Sequence, residues 1–399
     1  MLSLPLIALF IAAFAFGTTE FVIAGVLPQV ADGLGVTIPV AGYLVSGYAI
    51  GIALGGPLLT FVTNNMQRRT LLLGLIAVFT VGQVACALAP DFAAMLVLRM
   101  MIAVVHGTFF GITMVVAVGL VPPERRGFAV ALILSGLTVS NVVGVPLGAA
   151  IGNMFGWRAT FWAMSVLGLV ASLAIVLWLP RTKGAAAPRP PLAQEVGVLG
   201  RQQVWTSLFL MLMLMIGQYV PFTYIAPMLH EVTGLDTNVV PWVLLLNGVG
   251  STVGVFLGGR LADWKLMPSM IVMMVLQAVT LVVLYLASPY PWPMVATVFV
   301  WGTLNFAIGT PIQTRILSWT ADAPGLASSL IPSGFNIGIA IAAVLGSTML
   351  NSGYGYRSLP LLGTVALLVA ALVALQSLVW EKRSGSRPPA AIEAALPAQ

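Results

Sequence analysis

The sequence predicts an all-α polytopic membrane protein, with twelve transmembrane helices arranged as two pseudo-symmetric six-helix bundles. Three observations carry that prediction. Of the 399 residues, 59% are hydrophobic and 7% charged, against roughly 45–50% and 25% in soluble domains, which excludes the soluble globular class. The apolar residues fall in runs of about 20, each long enough to cross about 30 Å of hydrocarbon as a helix, and none alternates as a barrel strand would. Glycine patterns in the first half of the chain return in order in the second.

Breaks at Pro, Gly and charged residues set the expected spans. In the first half these are 4–28, 39–63, 70–89, 92–121, 127–153 and 157–179. In the second they are 204–229, 239–262, 267–287, 291–315, 325–350 and 357–380. The run from Leu2 to Gly17 has the apolar core of a signal peptide but no positive leader, and it continues to Pro28. It therefore reads as an uncleaved first helix. Twelve spans put both termini on one side. Fourteen Lys and Arg, from Arg68 to Arg387, fall on that side, two, Arg158 and Arg357, on the other, and Arg99 inside a span. Cytoplasmic loops carry such an excess, so a multi-pass protein of the bacterial cytoplasmic membrane with both termini in the cytoplasm is expected. The net charge of +6 thus reports topology, and no nucleic-acid partner is expected. Cys86 is the sole cysteine, which excludes an intrachain disulfide and a multi-thiolate metal site.

Hydropathy collapses over 180–203, the stretch containing RTKGAAAPRPPLAQ, which reads as a cytoplasmic linker between bundles at 1–179 and 204–380. Residues 381–399 read as a disordered cytoplasmic tail. The repeat supports the same cut. Gly127, Ser135, Gly136, Leu147 and Gly148 recur 198 positions later as Gly325, Ser333, Gly334, Leu345 and Gly346. Gly51-x-x-Leu54-Gly55-Gly56-x-Leu58 returns as Gly254-x-x-Leu257-Gly258-Gly259-x-Leu261. Paired repeats of this kind are a transporter design with the substrate site near the bilayer midplane between them.

Chemistry concentrates at few positions. In GTTEFVIAGVLP, Gly17 to Pro28, Glu20 is an acid inside an otherwise uncharged run, at an insertion cost of roughly 3 kcal/mol that is usually tied to function. It lies eight residues before Pro28, or about 12 Å of helix, too deep to snorkel comfortably. A solvated polar residue is the plainer reading. The fourth span carries Arg99 and His106, seven residues apart on nearly one face with Phe110 continuing it. Measured from Asp91, Arg99 is also about 12 Å deep, so Glu20 and Arg99 are expected to meet, with His106 at most an auxiliary. A histidine bonded to a neighbouring helix and never titrating is the plainer reading there. Burial favours a neutral acid and a guanidinium favours a carboxylate, so a motion that separates the pair would switch Glu20 between holding and releasing a proton. The fifth span, with Gly144, Pro146 and Gly148 and with Asn141 nearby, can pack closely and bend. Gln218, Phe222 and Tyr224 in the seventh span, and Asn305 and Phe306 in the tenth, suit an amphipathic organic ligand, although helix contacts would use the same residue types.

Several stretches together carry a family resemblance: GTTEFVIAGVLP from Gly17, LRMMIAVVHGTFFG from Leu98, PPERRGFAVALILSGLTVSNVVGVPLG from Pro122, GWRATFW from Gly156 and PGLASSLIPSGFNIG from Pro324. The chain resembles the major facilitator superfamily, and within it the twelve-helix drug:proton antiporter type, most like the arabinose efflux permease branch. The resemblance spans Leu4 to Trp380. It implies that the arginine of the fourth helix, Arg99, serves proton coupling, and that the first, fourth, seventh and tenth helices line the cavity. Phe16, Phe110, Asn141, Gln218, Phe222, Tyr224, Asn305 and Phe306 are the candidate substrate contacts. One departure stands out. The family loop after the second span commonly reads Gly-x-x-x-Asp-Arg-x-Gly-Arg-Arg, whereas here Thr60 occupies the aspartate position. The second half keeps more of the pattern in Gly259, Arg260 and Asp263, which join Gly144, Pro146 and Gly148 as candidate gating residues.

The expected function is export of a small organic solute, drug-like or sugar-like, by proton antiport with alternating access. Expected partners are the solute, protons and the bilayer, the chain acting as a monomer with no cofactor beyond the proton gradient. A membrane enzyme would need a second acid or a nucleophilic dyad in the spans, which offer none. A proton-independent facilitator of a sugar or nucleoside, or a non-transporting receptor, are the alternatives.

Overall fold

A computed structural model describes residues 3–63, 65–122, 125–180, 197–321 and 324–385. The described residues form helices and turns with no strand. In chain order the long helices are α1 (Leu4–Gly33), α2 (Ile38–Val62), α3 (Arg68–Ala87), α4 (Phe92–Gly119), α5 (Arg126–Phe155) and α6 (Trp157–Trp178). They continue with α7 (Gln202–Thr223), α8 (240–264), α9 (266–287), α10 (Pro291–Trp319), α11 (Pro324–Asn351) and α12 (Leu359–Ser384). Helices α8 and α9 run on as Val240–Ala287, 48 residues, about 72 Å at 1.5 Å per residue and more than twice the hydrocarbon thickness. Lys265, at φ −150° and ψ 85°, breaks the run and lets the chain cross twice.

Most expected ends hold to within about two residues, and four differ. Helix α7 stops at Thr223, six residues short of the expected 229, because Tyr224 (φ −113°, ψ 24°) breaks it before a short turn over Ile225–Pro227. Helix α1 passes through Pro28 and ends at Gly33, because proline lacks only its own N–H and spanning helices tolerate the gap. Helix α10 extends to Trp319, so Arg315 is buried in a helix rather than set in a loop. There it ion-pairs with Glu381 and donates to Ser377 Oγ at 2.8 Å, tying α10 to α12. Helix α12 runs to Ser384, into the expected tail. Of the expected linker and tail, 181–196 and 386–399 lie outside the described residues.

Helices α1 to α6 pack on one another, as do α7 to α12, and the two sets meet along α2 with α11 and α5 with α8. Close approach decides the second seam: a Cβ on Gly248 would lie 2.5 Å from Asn141 O and 2.6 Å from Val142 Cα. Helices α3, α6, α9 and α12 lie at the periphery and expose valine and leucine along their length, as in Val81, Leu173, Val279 and Leu372. Such continuous apolar surface calls for lipid rather than water. Exposed Trp242, Tyr290, Trp292 and Tyr354 ring the face away from the chain ends, the depth where aromatic belts sit. Cys86 is fully buried on α3.

The cross-half side-chain hydrogen bonds among the described residues lie from the midplane to that distal face. Ser333 Oγ donates to Ala53 O at 3.1 Å, Ser347 Oγ to Pro39 O at 2.9 Å, and Asn153 Nδ2 to Thr237 O at 2.6 Å. Gln29 of α1 donates to Asn153 Oδ1 and braces it.

Candidate functional site

Helix α1 is the most enclosed span, and small polar side chains fix its rotation around Glu20. Thr18 Oγ1 bonds back to Phe14 O at 2.8 Å, and Thr19 Oγ1 accepts from Gln83 Nε2 of α3 at 3.0 Å. Gly144 and Gly148 let α5 close on this stretch, since a Cβ on either would strike Thr18 or Val22, and Pro146 is buried beside them.

Glu20 thereby faces the space between the halves. Its Oε2 lies 3.8 Å from His106 Nε2 of α4, and the glutamate side chain is 10% exposed. His106 Nδ1 is 3.0 Å from the hydroxyl of Tyr48 on α2. The ring of Tyr48 lies under Arg99, whose guanidinium carbon is 4.6 Å from the ring centroid. Arg99 is 0% exposed, donates through Nε to Leu44 O at 3.4 Å, and leaves Nη1 and Nη2 without a hydrogen-bond partner. The order in space is therefore Glu20, His106, Tyr48, Arg99.

That order corrects the expected pair. Glu20 meets His106 and makes no ion pair with Arg99, and the reason is the true end of α1. Counted from Gly33, Glu20 is 13 residues in, about 20 Å, whereas Arg99 is about 12 Å and His106 about 22 Å from Asp91. His106 is the level neighbour. In the row it stands between Glu20 and Tyr48.

A small cavity of about 10 Å³, room for about one water, opens beside Glu20, lined by Phe21, Val45, Tyr48, Ala49, Tyr219, Asn336 and Ile339. It draws on α1 and α2 of the first half and α7 and α11 of the second. At this size it is below the roughly 300–1,000 Å³ usual for drug-sized ligands. Tyr48, Tyr219 and Asn336 do not stand out in the sequence, where their one signal is a polar tip in the middle of a span.

The other candidates divide. Phe16 is fully buried among Phe79, Phe109 and His106, with ring centroids at 4.4, 4.5 and 5.2 Å, so it is core rather than lining. Phe110 flanks His106 at 5.1 Å. Tyr224 is buried; its hydroxyl donates to Ala343 O at 3.1 Å and lies against α2, where a Cβ on Gly42 would meet it at 2.2 Å. Asn141 bonds its own helix at Leu137 O. Gln218, Phe222 and Asn305 are buried where α7 meets α10, and Phe306 is half-buried. Near the Lys265 break, Gly259 is half-buried, and Arg260 and Asp263 are exposed and make no ion pair among the described residues. Thr60 lies within α2 and bonds back to Gly56 O at 2.8 Å. The described residues hold no cluster of side chains suited to a metal ion.

A family model for the Major Facilitator Superfamily matches residues 9–318. The chain belongs to the Major Facilitator Superfamily. Among superfamily members it is 36% identical to the inner membrane transport protein YdhP of Escherichia coli K12, over 94% of this chain and 95% of that one. It is likewise 36% identical to the chloramphenicol resistance protein of Streptomyces lividans, over 92% and 95% of the two chains. In fold it is similar to a bacterial homologue of the human lysosomal transporter Spinster, solved inward-facing and unoccupied, with a TM-score of 0.77 at 15% identity over 96% of this chain and 98% of that one. The superfamily fold thus accounts for the twelve helices, and the chain is a multi-pass membrane transporter.

Proposed function

We propose that this transporter exports a small organic solute from the cytoplasm in exchange for protons, with Glu20 as the proton carrier. The observation that carries the reading is the row Glu20, His106, Tyr48, Arg99 ending at a pocket between the halves. An intramembrane carboxyl that meets a buried imidazole and opens onto a cavity between the halves is the arrangement coupling calls for. Burial of Arg99 without a direct anion supplies a fixed positive charge near the carboxyl, so motion of α1 relative to α4 changes how firmly Glu20 holds its proton. A proton moving inward down 100 mV supplies roughly 2.3 kcal/mol, enough for more than tenfold accumulation. The excess of Lys and Arg on the side of the chain ends supports a cytoplasmic placement of both termini, and the chloramphenicol resistance relative supports a drug-like cargo.

The test is flux in proteoliposomes under an imposed pH gradient. Glu20→Gln is expected to abolish pH-driven export of chloramphenicol while solute exchange at equal pH continues. Export by this variant at the wild-type rate under the gradient would sink the coupling role.

A further inference from the structure

The second half holds buried polar groups that the proton row does not use. Helices α7 and α10 run antiparallel, and two contacts fix their register. A Cβ on Gly309 would touch Leu214 at 3.9 Å, and the rings of Phe222 and Trp301 are 6.1 Å apart. Counting one turn inward from each contact reaches Gln218 on α7 and Asn305 on α10, which therefore share a level. Both are 4% exposed, and each has a side-chain oxygen with no hydrogen-bond partner. Trp301 Nε1 and Asn336 Oδ1 are likewise buried and unpartnered. Asn336 and Tyr219 line the pocket beside Glu20, and Tyr219 carries the aromatic surface onward to Phe222 at 5.5 Å and Phe335 at 6.2 Å.

Leaving several buried polar atoms unpaired is costly, and in native structures such groups are met by water, an ion or a ligand. Three amides and an indole N–H supply hydrogen bonds but no charge. The one carboxyl at the pocket is Glu20, which a cation would have to take from the proton. A desolvated cation lodged among the amides would lack a counter-ion. We infer that Gln218, Asn305, Trp301 and Asn336 form the recognition side of the solute site, and that it selects a neutral solute bearing hydroxyl or amide N–H groups beside an apolar face, over a lipophilic cation. This rests on the chain being a solute transporter with its site between the halves, but not on proton coupling.

Equilibrium binding to the purified full chain by calorimetry, at one pH and without a gradient, tests it apart from coupling. Chloramphenicol, neutral with two hydroxyls and an amide N–H, is one probe, and tetraphenylphosphonium is the cationic one. Wild type should bind chloramphenicol at least tenfold more tightly than the cation. Gln218→Leu and Asn305→Leu should each weaken chloramphenicol at least tenfold, and Asn336→Leu should weaken it as well. The Gln218→Leu/Asn305→Leu pair should fall short of the product of the single effects, because both amides address one ligand. The melting temperature of each leucine variant should hold or rise, since an unpaired buried amide has been replaced by an apolar group. Gln218→Asn keeps the amide and should retain part of the affinity. Tighter binding of the cation would make the aromatic surface a cation cage and overturn the inference. Wild-type affinity in the leucine variants, which would make the amides water-bridged packing, or no binding of chloramphenicol by wild type, would overturn it too. Failure of pH-driven flux with binding intact would count against coupling alone.

Discussion

Tyr48 serves two neighbours with different parts of one side chain, its hydroxyl on His106 and its ring under Arg99. The two roles can be separated. Tyr48→Phe removes one buried hydrogen bond, about 1 kcal/mol, and should slow pH-driven export about fivefold with little change in melting temperature. Tyr48→Leu also strips the platform from a buried guanidinium and should lower the melting temperature by several degrees more than Tyr48→Phe does. Equal melting temperatures for the two variants would mean that the ring does not support Arg99. Sequence alone made Glu20 conspicuous, because it is an acid in an uncharged run. Its partner is not legible there: a proline inside a spanning helix looks the same in sequence as one at its end, so Pro28 gives a false origin for depth. Tyr48 gave still less warning, since one tyrosine in an apolar run reads as packing.

At the scale of the element, α2 and α5 each contain a wider turn, Gly51–Gly55 and Ser140–Gly144, in which the backbone bond spans five residues rather than four. Both press against the second half. Ala53 in the first offers its carbonyl to Ser333, and Asn141 and Val142 in the second lie against Gly248. Gly248→Leu cannot be seated without parting α5 from α8, so transport should drop at least tenfold while the protein still reaches the membrane. Gly74→Ala, where a Cβ meets nothing within 4 Å, should transport normally and serves as the control. Normal flux through Gly248→Leu would show that this seam tolerates separation. The spans themselves were legible, because a run of apolar residues has one solution in lipid. The wider turns were not. The glycine pattern of the first is repeated at Gly254 to Leu261, yet there the helix keeps its ordinary pitch, so the difference comes from what each helix packs against.

Across the whole molecule, the hydrogen bonds between the halves gather toward the distal face, and Asn153 is their hub, accepting from Gln29 and donating to Thr237. Asn153→Ala removes both bonds, at about 1 kcal/mol each. Only the bond to Thr237 crosses between the halves, so the population should move toward a state open on the distal face by about fivefold. Spin labels at Asp32→Cys and Asn238→Cys, exposed positions on opposite halves of that face, should then gain a longer distance component. An unchanged distribution would mean that the bridge does not hold the face shut. The repeat pointed to two halves but carried no hint of this bridge, because Gln29, Asn153 and Thr237 lie far apart in sequence and outside every repeated pattern. Such labelling is simplified by the position of the chain's one thiol. Cys86 is 0% exposed within the first half, beyond the reach of reagents that attack a solvated thiolate. The natural sequence therefore serves as its own silent background, and every cysteine engineered into it reports from its own address alone.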